Sequence, residues 1–354
     1  MLKTQPGSRE ICPVGRNLGA NTLRLLLILT AIASSIVAFA SVPLPQGTKS
    51  EIDKAVGEDS DGMLTDVERD IAANRFQDTE SRLSGYLKDH PDSSRAHFDL
   101  GYVQFRTHNV RSSLAELSRS LELDSTNAEA HKILGLDCSL IGRDDLAEVE
   151  LIEAARLKPE SAEIHYFLGR TYYTRGVYPL AKDELQTSIR LDPASVKAYR
   201  NLGLTMEALG DNAEALENYT KAIEFEEHQE QQSAWPYIYL SAFYNRQKNA
   251  SEALTFAFKA MDVDRRSDAT YFEIAKAYRT QKNLQKSADA AHSAIAINPQ
   301  VSDYYYLLGL VLRELGDKNG SAEALAKYAQ LQKSSSDTPR EPSAEEPLIA
   351  PERH

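Results

Sequence analysis

The chain has 354 residues, 42% apolar, 26% charged and 8% aromatic, more than one compact core usually accommodates, so a single small domain is excluded. Forty Lys and Arg against 52 Asp and Glu leave a net charge of −12, whose average field repels nucleic acid and acidic membranes, so any basic surface must be local. Two cysteines, Cys12 and Cys138, are too few for a disulfide framework or a four-ligand zinc site.

The amino-terminal element has the pattern of an export segment. Lys3, Arg9, Arg16 and Arg24 stand against Glu10 alone, and the uncharged run LLLILTAIASSIVAFA follows from Leu25 to Ala40. Ala38, Phe39 and Ala40 before Ser41 offer the small-x-small site that signal peptidase cuts, and Pro43 and Pro45 stop any helix there. Residues 1–40 are therefore expected to be a signal peptide cleaved after Ala40 or, since no charge falls between Arg24 and Lys49, an uncleaved anchor built on residues 25–40. In both cases the basic flank stays inside, and the body is expected beyond the cytoplasmic membrane, in a periplasm or cell envelope. Cleavage removes four positive charges and one negative, taking the net charge from −12 to −15, and separates Cys12 from Cys138. Residues 41–59 follow as a linker.

From residue 94 onward the sequence repeats with a spacing of 34. Units begin at Ser94, Ala128, Ala162, Val196, Ala234, Asp268 and Ser302, with one break of four extra residues, Glu230 to Ser233, placed between two units. Position 7 is Leu100, Leu134, Leu168, Leu202, Leu240, Ile274 and Leu308. Position 8 is small: Gly101, Gly135, Gly169, Gly203, Ser241, Ala275 and Gly309. Position 20 is Ala or Ser throughout, and position 27 is small until Tyr328. Pro159, Pro193 and Pro299 at position 32 end a helix and fix the next turn, while Ser125, Glu227 and Arg265 replace proline elsewhere. A weaker copy with Leu83, Tyr86 and Pro91 in register occupies residues 60–93. Seven clear repeats thus fill 94–333 behind one degenerate leader.

These columns, most plainly HYFLGRTYYTRGVYPLAKDELQTSIRLDP from His165 to Pro193, resemble the tetratricopeptide repeat. The resemblance covers about three-quarters of the chain and implies an all-α fold, an α-solenoid of helix-turn-helix repeats. Each unit is two amphipathic helices, with apolar residues such as Leu146, Leu151, Ala154 and Leu157 at helical spacing, and neither helix buries its stripe alone. Neighbouring units must complete each other's core, which gives a curved stack with the first helices along a concave, binding face.

The last unit's second helix, expected over 321–333, carries Leu325, Tyr328 and Leu331 with no further amphipathic helix after it. An open edge of this kind favours homo-oligomerisation through Leu325 and Tyr328, or a fold-back of Leu348 and Ile349. The proline-rich, Ser- and Glu-rich tail at 334–354 lacks the apolar surface to fold.

Chemistry-bearing residues are sparse. His97, His131 and His165 share position 4, but equivalent side chains on packed helices lie about 8–10 Å apart, too far to share a metal. The column continues as Tyr199, Tyr237, Tyr271 and Tyr305, so packing of flat rings is the expectation. Cys138 at position 11 is expected to be a buried, inert small hydrophobe. His228, in EFEEHQEQQ from Glu224 to Gln232, belongs to a solvated helix end. Asn218, Asn249 and Asn319 each open an N-x-S/T triplet, near chance for this length. No GxSxG, HExxH, P-loop or GxGxxG occurs, so neither an enzyme nor a cofactor is expected.

In the family the sequence resembles, positions 2, 5, 9, 12 and 13 of each first helix face the groove. Here they supply Arg95, Arg106, Lys132, Arg170, Lys197, Arg200, Arg246, Lys276, Arg279 and Arg313 against Glu129, Glu163, Glu207, Asp303 and Glu314. Phe98, Tyr102, Phe105, Tyr166, Tyr173, Trp235, Phe272 and Tyr306 are interleaved. Ten bases against five acids predict a groove that attracts acidic protein or peptide segments, unless the bases pair with acids on adjacent helices. Arg170, Arg200, Tyr166 and Lys276 are the expected central contacts. The carboxylate clamp of cytosolic cochaperones is not reproduced, because Lys132 is followed by Leu136 and Phe167 where the family has asparagines.

Overall fold

Helix boundaries follow directly from the residues that cap them. Ser93, Asn127, Ser161 and Ser267, one residue before a repeat begins, accept hydrogen bonds from the first amides of the helix that follows. Asp211, Asn249 and Asn283 do the same for second helices. The computed structural model describes residues 62–336, with side chains through Lys333, and contains sixteen helices and no strand among them. The export segment expected at 1–40, the linker expected at 41–59 and the residues beyond 336 lie outside the described residues, and none of the described helices is long and apolar enough to cross a membrane.

The leader folds as a pair, α1 (62–72) and α2 (Phe76–Asp89). The first helices of the seven repeats are α3 (Ser94–Arg106), α5 (Ala128–Leu140), α7 (Ala162–Thr174), α9 (Val196–Ala208), α11 (Trp235–Arg246), α13 (Asp268–Thr280) and α15 (Ser302–Leu315). Their second helices are α4 (Val110–Leu123), α6 (Asp144–Leu157), α8 (Tyr178–Leu191), α10 (Asn212–Glu226), α12 (Ala250–Val263), α14 (Leu284–Ile297) and α16 (Lys318–Ser336). The 34-residue phase is therefore the phase of the helices, with α11 entering one residue late after the inserted segment. There the amide of Ser233 binds the Glu226 carboxylate and Tyr237 donates to Glu227 Oε1 at 3.2 Å, so side chains close the longer loop.

Each helix pair turns through a left-handed residue at position 15. Asn74, His108, Gly142, Gly176, Gly210, Lys248, Lys282 and Gly316 all have φ between 55° and 89°. The next amide closes onto the carbonyl five residues back, as in Asn109 to Gln104 and Arg143 to Cys138, both 2.8 Å.

Within a repeat, position 8 receives position 24. A Cβ added to Gly203 would lie 2.6 Å from the Tyr219 ring, and one added to Gly169 would lie 2.7 Å from Leu185 Cγ. Where position 8 is Ser241 or Ala275 instead, position 24 shrinks to Ala257 or Ala291, both fully buried. Volume is thereby conserved across the helix pair. First helices of consecutive repeats touch one another whereas consecutive second helices do not, so the stack bends toward the first helices and their outer sides line the concave face.

At the carboxyl end the apolar edge expected from Leu325 and Tyr328 is turned inward. Leu325 covers Gly309, the Tyr328 ring lies 5.2 Å from that of Tyr306, and Leu331 is buried. The outward side of α16 carries Ala322, Glu323, Ala326, Ala329 and Gln330, a small and polar surface. Long apolar side chains here complete their own repeat, and the face left to solvent resembles a cap. The helix also extends to Ser336, past the expected end at 333.

Candidate functional site: the concave face

The basic residues at the groove positions divide into two groups once their partners are known. Toward the amino end, Arg95 reaches Glu68 on α1 through Nε at 2.8 Å and Nη2 at 2.6 Å. Arg106 donates to the Tyr102 hydroxyl at 2.9 Å and to Asn74 at 3.1 Å, and the Phe98 ring lies 6.4 Å from Tyr102. Lys132 is buried between Glu129 and Glu163, the latter 2.5 Å away. Burial alone would lower its pKa, but the two carboxylates outweigh it and hold the ammonium charged.

Toward the carboxyl end the same pairing recurs. Arg246 forks onto Glu207 at 2.5 and 2.7 Å, and here too the carboxylate overcomes burial and raises the pKa. Lys276 binds Glu273 at 2.7 Å and lies 4.9 Å above the Phe272 ring, which itself packs 4.9 Å from Tyr304. Arg279 bridges to Glu314 on the next first helix at 2.7 Å, and its hydrogen bond holds that carboxyl below the ordinary range. Arg313 is exposed at the end of α15 with no ion pair among the described residues.

The groove is therefore not uniformly basic. Glu68 and Glu273, which neutralise Arg95 and Lys276, lie on the leader and at position 6, outside the columns that give ten bases against five acids. Arg95, Lys132, Arg246 and Arg279 form cross-repeat pairs that fasten neighbouring units.

The middle is different. Tyr166, Arg170, Tyr173 and Thr174 of α7, Arg200, Asn201 and Leu204 of α9 and Tyr239 of α11 line one cup, and none of these eight side chains is acidic. Arg200 is only 3% exposed, with its guanidinium 4.9 Å above the Tyr239 ring. Asn201 donates to the Lys197 carbonyl at 2.9 Å and to the Tyr166 hydroxyl at 3.4 Å, which fixes the cup's floor. Arg170, half-buried on the rim, forms no ion pair among the described residues, and neither does the exposed Lys197 at the start of α9. Trp235 packs 5.9 Å from Tyr239 and extends the aromatic wall.

Of the expected central contacts, Arg170, Arg200 and Tyr166 come together and Lys276 lies two repeats beyond, held by its own glutamate. Asn201 and Tyr239 belong to the cup but sit at position 6, a column the groove rule does not include.

The remaining candidates are structural. Among the described residues no group of His, Cys, Asp or Glu could hold a metal ion. Cys138 is buried, and burial first, then Glu150 and Asp137, push its thiol up to about 12. His228 Nδ1 contacts the Glu224 carbonyl at 2.6 Å at the solvated end of α10.

The model of the tetratricopeptide repeat matches residues 68–128, 166–230 and 272–337. Among solved structures, the chain is similar to a repeat protein from Parabacteroides merdae, with 15% identity over 71% of this chain and 98% of that one and a TM-score of 0.60. It is also similar to a chain of the APC/C hetero-tetramer Cut9-Hcn1, with 18% identity, 74% and 51% coverage and a TM-score of 0.59. A MamA protein is 26% identical over 48% of this chain and 93% of its own, with a TM-score of 0.44. The first two likenesses show the fold alone, and no curated protein matches the chain.

Proposed function

The chain belongs to the tetratricopeptide repeat family, and from that premise we propose that it is an envelope scaffold whose groove captures an acidic segment of a partner protein at the cup of Arg170 and Arg200. What carries the reading is Arg170 on the cup's rim, which has no ion pair among the described residues while Lys132, Arg246 and Arg279 are held by carboxylates, in an aromatic-walled cup none of whose lining side chains is acidic. A guanidinium in such a low-dielectric site forks onto a carboxylate more strongly than in water, and the tyrosine rings accept the flanking apolar side chains. Placement in a cell envelope is supported by the basic, then apolar, pattern of residues 1–40.

The test is binding of the full chain to an array of acidic peptides and their Lys-substituted counterparts, read as affinity against salt. Arg170→Glu should abolish the preference for acidic peptides, whereas Arg190→Glu, on the second helix of the same repeat, should leave it intact. Equal binding by the two variants would refute the cup as the site.

A further inference from the structure

The position-4 histidines are more than packing rings. In repeats 1, 2 and 3, Nδ1 of His97, His131 and His165 lies 2.7, 2.7 and 2.6 Å from Oε2 of Glu116, Glu150 and Glu184. The other ring nitrogen, Nε2, lies 2.9, 3.2 and 2.9 Å from the backbone carbonyls of Pro91, Ser125 and Pro159. Each carbonyl belongs to the last turn of the preceding unit, so every ring ties its own second helix to the repeat before it. The three rings are all nearly buried, with side chains 11–12% exposed.

A proton count follows from this geometry. Both partners of each ring are acceptors, and a neutral imidazole has only one N–H. Both bonds exist together only while the histidine and its glutamate jointly hold one proton beyond neutral imidazole and carboxylate. Loss of that proton leaves one of the two contacts without a hydrogen.

Repeats 4 to 7 supply the internal control. There position 4 is Tyr199, Tyr237, Tyr271 and Tyr305, and position 23, which holds the glutamate in repeats 1 to 3, becomes Asn218, Phe256, Ala290 and Ala324. The acid appears only where the histidine does. Tyr305 donates to the Pro299 carbonyl at 3.2 Å, the same tie made by a hydroxyl with no carboxylate partner at position 23.

We propose that the three His–Glu pairs are a proton-operated latch, which fastens the leader and the first three repeats to one another while each pair holds its extra proton and releases those junctions when the proton is lost, while repeats 4 to 7 stay indifferent. The charged surroundings support that direction. His131 faces Glu150 and Glu153 from α6, with Cys138 on its own helix, and the nearby Asp124 is bound to Thr126. Burial lowers its pKa, but the Glu150 hydrogen bond and charge, the Ser125 carbonyl and Glu153 outweigh that and raise it above 6.5. A raised histidine contributes its full stability below 6.5 and loses it as the pH passes the folded-state value. Around His165 stand Glu184 and Tyr172, and around His97 stand Glu116 and the mutually paired Asp92 and Arg119.

The test is hydrogen–deuterium exchange of the full chain at pH 6 and pH 8, corrected for intrinsic rates. The parent carries Asp99→Asn and Asp137→Asn, because those two buried carboxyls also titrate in this range. Loss of one hydrogen bond per junction predicts about five-fold faster corrected exchange at pH 8 in residues 90–93, 124–127 and 158–161, with residues 298–301 unchanged. Replacing His97, His131 and His165 with Tyr should erase the difference. Replacing Glu116, Glu150 and Glu184 with Gln, whose amide donates to Nδ1 of a neutral ring while Nε2–H keeps the carbonyl, should also erase the difference and hold exchange at pH 8 at the parent's pH 6 level, which keeps the test open if the tyrosine variant fails to fold. An equal pH response in all four loops, or one that survives both triple variants, overturns the latch.

Discussion

Asp137→Asn should make the protein more stable at alkaline pH and leave it unchanged in acid. Asp137 is fully buried in α5, neither carboxyl oxygen has a hydrogen-bond donor, and burial raises its pKa from 3.8 to about 7. Ser113 is the one neighbour that favours the carboxylate, but it already gives its proton to the Gly101 carbonyl at 2.8 Å, so burial prevails. Below pH 3.8 the group is protonated in folded and unfolded chains alike, and the carboxyl brings no pH-dependent penalty. From there upward the unfolded chain ionises while the folded chain keeps its proton, so stability falls by about 1.4 kcal/mol per pH unit until about pH 7. The sum is about 4 kcal/mol, an upper value because partial opening admits water. Asparagine has no such dependence. Urea unfolding at pH 4, 6 and 8 should give curves that converge at pH 4 and separate progressively, with the variant the more stable. Parallel wild-type and variant stabilities across that range would refute a neutral buried carboxyl.

The remaining predictions concern packing and backbone. Gly203→Ala forces a Cβ to within 2.6 Å of the Tyr219 ring and should cost about 1–3 kcal/mol in thermal unfolding, with Tyr219→Leu in the same chain restoring part of it. Lys248→Gly and Lys282→Gly relieve left-handed residues at φ of 59° and 61°, and each should raise stability by about 1 kcal/mol, read as an upward shift in Tm. A lower Tm in either lysine variant would mean that the side chain supports the turn in another way.

The fold was legible in the sequence because its signals are local and repeated. Leu100 through Leu308 at position 7 and the proline at position 32 recur in phase, and helices begin where the phase places them. The left-handed column at position 15 was harder to see, since only four of its eight residues are glycine and Asn74, His108, Lys248 and Lys282 conceal it. The groove's charge was legible only as a sum. Whether a base remains available depends on an acid about 30 residues away on another helix, as Glu68 is for Arg95 and Glu163 for Lys132. Column positions alone do not carry that pairing, and they also pass over Asn201 and Tyr239, which line the cup from position 6.

The latch and the cup share α7, and this makes their coupling measurable. His165 and Tyr166 are consecutive on that helix, so one faces the junction with repeat 2 while the other faces the groove. Arg170, one turn on, forms the rim opposite Arg200 of α9. A looser junction before α7 lets its helix tilt relative to α9 and spreads the two guanidinium groups. An arginine side chain and the carboxylates of an acidic peptide both keep their charge through pH 6 to 8, so the groups in direct contact do not change charge over that range. Affinity for an acidic peptide should therefore be higher at pH 6 than at pH 8 in the wild-type chain, and the difference should vanish when His97, His131 and His165 are replaced with Tyr. Titration calorimetry at both pH values gives the comparison directly. If affinity is the same at pH 6 and pH 8 while junction exchange changes, α7 moves as a rigid body with α9 and the two devices are independent.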